Sequence, residues 1–561
     1  MPITAILLSL VPITMPKPAP AQLVVENRLV PFVERLRSDL RAMENFFNLS
    51  TATETLDRMD AFYTSKVQEL GKVVAAKPNV EEQIDLELSK NFLKYRRTTI
   101  TIEKAKITET EPLLPFGRDI LKLEQDRRKM SEIDPKVAAD TLTAIARSAK
   151  EAREKLQKSL DAKKGIPSVV VADRSAKRLE NLQRTLEFWF GQYDGFHPLF
   201  SWWAKKPQEA ALAEIKAYTI LLKEKVAGYK EGQDAPLIGY PIGREALLVD
   251  IESEMLDRTP EDLLSMADKE YAWCLVEAKK ASREMGFGDD WKGAMEKVKS
   301  KHVEPGAQDQ LVANQAREAI KFLEDRKLVT IEPLCKETWR LEMLGQETQK
   351  TLPFAVYMGQ KMGVSYPLST QDHDTKEMSL RGNNEHFTRA ITHHELIPGH
   401  HLQGYMSERY NSHRRLFQTP FLVEGWALYW EMQMWDQGFA RGPEDRIGML
   451  FWRMHRCARI TVSLKFHLGQ MKPEAMIDYL VDKVGHERFT ATSEVRRFIG
   501  GDYSPLYQCA YMIGGLQLRD LEKELVGGKK ISLRDFHDSI LHSGPIPVKM
   551  IGKRLRSLAN A

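Results

Sequence analysis

The spacing of apolar residues predicts α-helices over most of the chain. From residue 24 to about 230, and again up to about 326, apolar positions recur every three to four residues, as on one face of an amphipathic helix. The first such run is Leu29, Phe32, Val33, Leu36 and Leu40. Helical spacing resumes after Asn383-Asn384, a pair well suited to cap a helix, and continues to the C-terminus.

A different pattern occupies residues 328–368. The segments VTIEPL, FAVYMG and GVSYPL are short, rich in β-prone residues and separated by Gly and Pro. This pattern predicts a small sheet or ribbon. The fold is therefore predicted to be mainly α, with a small β-sheet or ribbon near the segment that carries the chemistry.

The chain has 561 residues, enough for more than one packed helical layer. We predict an N-terminal helical region at 23–235 and a catalytic region at 236–561. Within the catalytic region we expect three parts: the β-ribbon at about 328–368, the helices of the functional site at 384–440, and C-terminal helices that face the substrate at 443–561.

Residues 1–22 form a leader with features of a secretory signal peptide. An apolar run, ITAILLSLVPIT, is followed by Ala19-Pro20-Ala21, a small-residue pattern typical of cleavage sites. No Lys or Arg precedes the run, and Pro12 interrupts it, so an apolar cytosolic leader is the alternative. The sequence favours an extracytoplasmic location. The run is too short to span a bilayer, and no membrane span is predicted elsewhere.

Charge and cysteine usage narrow the range of functions. The 82 basic and 78 acidic residues nearly balance, and no basic cluster is interleaved with aromatic residues, so nucleic-acid binding is not predicted. The four cysteines stand far apart without a C-x-x-C pair, which argues against a zinc knuckle and against a disulfide framework. We expect a small peptide or another small molecule as the partner; the sequence does not indicate an oligomeric state.

Histidines concentrate in the last third of the chain, where 12 of the 14 follow residue 372. The segment HHELIPGHH begins at residue 393. In the H-E-x-x-H zinc motif, two histidines four residues apart share a helix face and the Glu acts as general base. Four residues after His394 stands Pro398, so the simple motif is absent.

Pro398 nevertheless predicts a bend immediately after His394. Its ring clashes with the carbonyl of residue 394 and it cannot donate a hydrogen bond there, while Gly399 permits backbone angles closed to other residues. The bend can bring His400 or His401 back towards His394, and both remain candidate metal ligands. The alternative is that these histidines lie at the C-terminus of a helix, where their imidazolium charge complements the helix dipole.

A second cluster lies thirty residues downstream. Glu424 and Glu431 are seven residues apart, and hence on one face of the strongly apolar helix FLVEGWALYWE. Burial of two carboxylates is costly unless a cation or hydrogen-bond donors receive them. A zinc site would do so if one Glu bound the metal and the other accepted the N–H of a ligand histidine. The alternative is an amphipathic helix with ordinary exposed glutamates.

The segments HELIPGHHLQ and EGWALYWE resemble the signature H-E-x-x-P-G-H-x-x-Q and E-G-W-A-x-Y-x-E of a widespread family of uncharacterised bacterial and fungal proteins. Its members are regarded as zinc metallopeptidases, and fungal members are sometimes labelled X-Pro dipeptidyl-peptidase. The resemblance extends over about 240–550, with PIGREAL at 241–247 and FHDSIL at 536–541 followed by Gly544. More remotely, the chain resembles the helical Taq-type carboxypeptidases and thimet-type oligopeptidases.

The resemblance implies a set of roles at the matching positions. His394, His400 and Glu424 would bind Zn²⁺, with Glu395 as general base, and the histidine directly after Pro-Gly is preferred to His401. Glu431 is expected to hydrogen-bond a ligand histidine. Four further positions match family motifs: Arg456, Arg459, His467 and Tyr511. His467 and Tyr511 are candidate donors to an oxyanion. Arg456, Arg459 and also Arg519 are candidates for binding a substrate carboxylate, because the guanidinium fork suits it.

The chain departs from the family pattern in the C-terminal helices. Ser463 stands where members often have Asp, and Tyr507-Gln508 replaces Gln-Ala before Tyr511. We therefore expect a zinc-dependent hydrolase, a metallopeptidase that cleaves small peptides or amides. One alternative is a zinc enzyme that hydrolyses or rearranges a non-peptide metabolite. The second alternative is a helical protein that binds metal without catalysis.

Overall fold

The computed structural model describes residues 27–49, 52–74, 76–501 and 503–560. These ranges contain 23 α-helices and one three-stranded sheet, which confirms the prediction of a mainly α fold. The predicted leader at 1–22 lies outside the described residues. Within them, no helix combines the length and the apolar character needed to cross a membrane.

Helices from the predicted N-terminal region contribute to two different cores. The first three belong to the principal core, together with residues from the C-terminal half, whereas the next four enclose a second core of their own. The seven helices are α1 Val30–Phe46, α2 Thr53–Val73, α3 Val80–Thr110, α4 Gly117–Arg128, α5 Pro135–Asp161, α6 Val169–Gly191 and α7 Pro198–Leu221. A π-helical turn, Leu222–Ala227, follows α7.

The middle of the chain holds shorter helices and the sheet. The helices are α8 Gly243–Ser253, α9 Pro260–Glu284, α10 Trp291–Lys299, α11 Gln308–Arg326, α12 Pro333–Glu337, α13 Gln346–Gln349 and α14 His373–Gly382. The strands are β1 Arg340–Met343, β2 Ala355–Tyr357 and β3 Lys361–Val364. Contrary to the prediction, VTIEPL does not form a strand. Its proline occupies the first position of α12, where a missing N–H is harmless.

In the sheet, β3 lies between its two neighbours. It pairs parallel to β1, with Arg340 opposite Lys361, and antiparallel to β2, with Ala355 opposite Val364. Strand β2 is therefore an edge strand, and it contacts helix α15 (Glu385–Glu395). The sheet thus lies beside the site helices, as predicted.

Nine helices complete the chain: α15 Glu385–Glu395, α16 His400–Ser407, α17 Pro420–Asp436, α18 Pro443–His467, α19 Pro473–Val484, α20 Arg488–Ile499, α21 Tyr507–Leu525, α22 Leu533–Leu541 and α23 Val548–Ala559. The side chain of Asn384 caps α15, as the sequence predicts. Helix α17 is apolar all round, and a helix of this kind is stable only when it is buried. Helices α15, α18 and α21 surround it.

Two glycines allow α17 and α21 to touch backbone to backbone. A Cβ atom at Gly514 would lie 1.9 Å from the carbonyl oxygen of Phe421, and one at Gly425 would lie 2.7 Å from the Cα of Gly514. No side chain fits in this contact. The close approach brings the N-terminal end of α21, which begins at Tyr507, beside Glu424.

A buried ion cluster joins α3 to the C-terminal half. Asp85 accepts hydrogen bonds from the Nε of Arg414 at 2.6 Å and from the Nε2 of His413 at 2.8 Å. The side chains of Asp85 and Arg414 are fully buried. Burial alone would raise the pKa of Asp85, but the hydrogen bond from His413 and the charge of Arg414 hold it below its ordinary value.

We predict that Asp85→Asn lowers the free energy of unfolding by about 3 kcal/mol at pH 7, because it removes one of the two carboxylates that lie 2.6 Å from the buried Arg414 guanidinium, the other being Glu81. A carboxyl group with a lowered pKa contributes stability above its ordinary pKa of about 3.9 and loses it as the pH falls through the folded value. Urea titrations should therefore show a large difference between wild type and variant at pH 7 that shrinks below about pH 4.

The matched control is Asp39→Asn, which removes a half-exposed partner of Lys66. This change should cost less than about 1 kcal/mol. Equal effects of the two substitutions would contradict the assignment of Asp85 as an anchor between α3 and the C-terminal half.

Candidate metal centre

The chain bends sharply between α15 and α16. Helix α15 ends at Glu395 and α16 begins at His400, and the Ile397–Pro398 peptide bond between them is cis. A Cβ atom at Gly399 would lie 1.8 Å from the carbonyl oxygen of His394, so only glycine fits at this point of closest approach. The indole N–H of Trp426 donates to the carbonyl of Pro398 at 2.8 Å and ties the bend to α17.

The bend brings His394 and His400 together with Glu424 from α17. The ligating atoms of these three residues all lie within 4.8 Å of one another. Glu424 Oε2 is 3.5 Å from His394 Nε2 and 3.2 Å from His400 Nε2. Tetrahedral zinc with bonds of about 2.1 Å holds its ligands about 3.4 Å apart, so the spacing and the donor set fit a zinc ion.

Hydrogen bonds fix two of the three ligand side chains. The Nδ1–H of His394 donates to Glu431 Oε1 at 2.7 Å, which leaves Nε2 directed at the centre. The hydroxyl of Tyr507 donates to Glu424 Oε1, while Glu424 Oε2 has no hydrogen-bond partner among the described residues. These hydrogen bonds hold His394 Nε2 and Glu424 Oε2 towards the same point, beside His400 Nε2.

The electrostatics of the centre favour a cation. Burial alone would lower the pKa of His394, but the carboxylates of Glu424 and Glu431 raise it to about 9. Burial alone would raise the pKa of Glu424, but His400 and His394 hold it well below its ordinary range. Burial alone would raise the pKa of Glu431 too, but Arg456 and His394 lower it, so two carboxylates are ionised at a site where all three candidate ligands are buried. Burial, followed by the neighbouring Glu424 carboxylate, raises the pKa of Tyr507, so its hydroxyl remains a donor.

Glu395 and Tyr511 lie on an inner cavity of about 40 Å³ beside His394. Glu395 Oε2 is buried and has no hydrogen-bond partner among the described residues. The ring of Tyr511 stacks parallel to that of His394, with centroids 6.0 Å apart. Burial raises the pKa of Tyr511 to about 12, so this phenol is protonated at neutral pH.

Arg456 and Arg459 also line the inner cavity. The guanidinium of Arg456 lies 3.5 Å from Glu431 Oε1 and 4.5 Å from the centroid of the Tyr511 ring. That of Arg459 lies 3.9 Å from the same centroid, on α18 one turn further along. The wall of the inner cavity therefore combines these arginines with the carboxylates of Glu395 and Glu494.

An outer cleft of about 420 Å³ opens on the other side of the centre. His400 and Val423, the neighbour of Glu424 in α17, line it, together with Tyr357 from the edge strand β2. His401 also faces this cleft, but its Nε2–H donates to the carbonyl of Cys335 at 2.9 Å and its Nδ1 lies 3.3 Å from the Tyr357 hydroxyl. Both nitrogens of His401 are thus engaged, and the structure places His400 at the centre instead.

Two predicted site residues lie elsewhere. His467 ends α18, eight residues or about 12 Å beyond Arg459 along the helix. Its only described ring contact is with Phe466. Arg519 forms a partly exposed ion pair with Asp436 at 2.8 Å and does not line the inner cavity. Neither the oxyanion role expected of His467 nor the carboxylate role expected of Arg519 agrees with these positions.

Two other residues of the site escaped the sequence interpretation. Arg497 of α20 lines the inner cavity, and Tyr507 contacts Glu424 directly. Nothing in the local sequence of α20 signals this role for Arg497, because the helix is placed by tertiary packing. Tyr507 stands four residues, about one helical turn, before Tyr511, so this spacing was the available signal.

Residues 48–555 match a family described as bacterial proteins of unknown function (DUF885). The match covers most of the chain, which therefore belongs to this family. None of the proteins with curated annotation matches it.

Solved structures with the same fold include two bacterial proteins. One is a putative lipoprotein of unknown function from Shewanella oneidensis, with a TM-score of 0.67 and 19% identity over 94% of this chain and 99% of the other. The second is a putative lipoprotein from Colwellia psychrerythraea, with a TM-score of 0.61 and 15% identity over 95% and 98% of the two chains. At these identities the likeness shows the fold alone.

We predict that Gly399→Ala destabilises the protein by at least about 2 kcal/mol, because its Cβ would collide with the backbone of His394 and force the bend open. Gly404→Ala is the matched control: it lies inside α16, and the nearest atom is the Tyr357 hydroxyl at 3.6 Å. The control should be neutral or up to about 1 kcal/mol more stable. Urea unfolding measures both, and a neutral Gly399→Ala would contradict the close contact.

Proposed function

We propose that this protein is a zinc-dependent hydrolase that cleaves amide bonds in small peptides or related small molecules. The observation that carries the proposal is the convergence of His394 Nε2, His400 Nε2 and Glu424 Oε2 on one point, next to a buried carboxylate without a partner. Three protein ligands would leave a fourth position open on a bound zinc ion, which is the pattern of catalytic rather than structural zinc.

A bound zinc ion supplies Lewis acidity, which polarises a carbonyl oxygen and lowers the pKa of water. The residues of the chain perform the remaining tasks. Glu395 Oε2 has no protein donor to satisfy, so it is free to accept a proton from water and deliver it to the departing amine nitrogen. Glu431 holds the His394 ring through Nδ1 and so fixes its tautomer.

Tyr511 is suited to stabilise the negative charge that develops on the carbonyl oxygen. Its hydroxyl is protonated at neutral pH, and its ring is held between His394 and the guanidinium groups of Arg456 and Arg459. A preorganised donor of this kind contributes about 3 kcal/mol to the transition state.

We predict about one zinc per chain by elemental analysis after dialysis, with cleavage of a peptide library that stops when a chelator is added. Glu424→Gln should lose most of the zinc because it removes an anionic ligand. Glu395→Gln should retain zinc and lose turnover by about 10²–10⁴-fold because it removes the proton acceptor.

Glu522→Gln is the control, since Glu522 binds Tyr429 and Gln433 away from the centre. It should retain both zinc and turnover. Full activity of Glu395→Gln would contradict the mechanism, and a wild type that contains no zinc would contradict the whole proposal.

We also propose that the protein is exported. The apolar run at 3–14 with Ala19-Pro20-Ala21 supports this, and the two solved structures with the same fold are of putative lipoproteins. The full chain, expressed in a secretion-competent host, should be recovered outside the cytoplasm with an N-terminus near residue 22. Recovery of the intact N-terminus from the cytoplasm alone would contradict export.

A further inference from the structure

We propose that Arg459 binds a carboxylate of the substrate, so that the enzyme cleaves the amide bond next to a free C-terminal carboxylate. This inference rests on the proposed hydrolase function and names its substrate class: short peptides and N-acyl amino acids with an unblocked C-terminus. Hydrolysis breaks the bond between acyl carbon and amide nitrogen. The water oxygen joins the acyl carbon, a water proton passes to the nitrogen, and the residue that carries the bound carboxylate leaves as the amine.

Arg459 is a buried cation that forms no ion pair, although the charge of Glu494 acts on it from a greater distance. Its side chain is almost fully buried, yet no carboxylate of the described residues lies within ion-pair distance. Nε donates at 2.8 Å to the neutral amide oxygen of Gln508, and Nη2 has no partner. The rings of Tyr511 and Phe498 face the guanidinium at 3.9 and 5.2 Å, but such contacts are weak compared with a carboxylate. Burial accordingly lowers the pKa of Arg459.

The other two cavity arginines differ because each has an acidic neighbour. Arg497 donates to Glu494 at 2.7 Å, and Arg456 lies 3.5 Å from Glu431. Glu494 is also held by His455 at 3.2 Å. Glu494 is thus shared with other partners, and Glu395, the other carboxylate of the cavity wall, forms no ion pair with Arg459. Arg459 is therefore the one of these three arginines that has no ion pair.

Helix α18 itself offers Arg459 no anion. The positions one turn before and one turn after it are His455 and Ser463, and residues at this spacing share a helix face. Burial lowers the pKa of His455 to about 3, so it is neutral, and the Ser463 hydroxyl donates to the carbonyl of Pro505 at 3.3 Å. A buried charge without an ion pair is expensive, so the guanidinium is matched by an anion that arrives from outside the chain.

The position of Arg459 relates this anion to the scissile bond. Arg459, Glu395 and His394 line the same small cavity, so a carboxylate on the guanidinium lies within a few atoms of the reacting carbonyl. The edge strand β2 borders both spaces, with Ala355 on the inner cavity and Tyr357 on the outer cleft. A substrate therefore has its C-terminal carboxylate in the inner cavity and its remaining residues beside β2 in the outer cleft.

The first test compares matched substrates on the zinc-loaded wild type. A panel of N-acetyl dipeptides with free carboxylates and the same peptides as carboxamides is followed by mass spectrometry, with and without chelator. We expect cleavage of the carboxylates to exceed that of the carboxamides by at least about 30-fold, as for the loss of one buried charge-assisted pair. Equal chelator-sensitive cleavage of both sets would overturn the inference but leave the proposed hydrolase standing.

The second test measures binding and stability without turnover. In the zinc-loaded Glu395→Gln background, calorimetry compares N-benzoylglycine with N-benzoylglycinamide. The carboxylate should bind more tightly, and Arg459→Met should abolish this preference. Ser463→Asp places a carboxylate one turn from Arg459 and should reduce the preference as well. If binding depends on Arg459 while the zinc-loaded wild type cleaves no substrate in the first test, the anion site is retained and the hydrolase is rejected.

Arg453→Met is the matched control. Arg453 is a buried arginine of the same helix, but it pairs with Glu270 at 2.7 Å and does not line the inner cavity. This control should keep the preference for carboxylate and lower the melting temperature. Arg459→Met, which removes a charge without an ion pair, should keep or raise the melting temperature. A lowered melting temperature together with an unchanged preference would assign Arg459 a structural role and overturn the inference.

Discussion

Between Glu395 and His400 the backbone folds back so closely on the carbonyl of His394 that no side chain fits at Gly399. A straight helix would direct His394 and His400 about 120° apart, and no single ion could reach both. The bend removes that separation at the cost of helical hydrogen bonds, which are partly replaced by Gly399 N–H to His393 and by the Trp426 indole. The centre, the inner cavity and the outer cleft are all arranged around this point.

The remaining parts of the site come from helices that are distant in sequence. Helix α17 supplies Glu424 and Glu431, α18 supplies Arg456 and Arg459, α20 supplies Arg497, and α21 supplies Tyr507 and Tyr511. Each of these helices is buried on most of its surface, so their polar residues are acceptable only because they satisfy one another or face the centre. The inner cavity is consequently a charged space within an apolar core, where electrostatic interactions are stronger than in water.

The features that could be predicted from the sequence are those that depend on residues close together in the chain. Helical periodicity gave the fold class, and Pro398-Gly399 predicted the bend because both residues restrict or relax the backbone directly. The choice of His400 over His401 came from resemblance, since the direction of a bend is set by tertiary contacts such as that of Trp426. His467 and Arg519 were misplaced for the same reason: their positions along α18 and α21 fit the pattern, but they lie about two turns beyond the cavity.

The glycine contact between α17 and α21 sets a fixed length within the site. Where two backbones touch directly, the distance between the helices depends on main-chain atoms alone. Side-chain substitutions nearby change the packing but leave this distance unchanged. Gly425 adjoins Glu424, and Gly514 lies two turns after Tyr507, so the contact fixes the distance between the Glu424 carboxylate and the Tyr507 hydroxyl. The surrounding residues can therefore diverge among relatives and change the shape of the cavity while the ligand geometry stays constant.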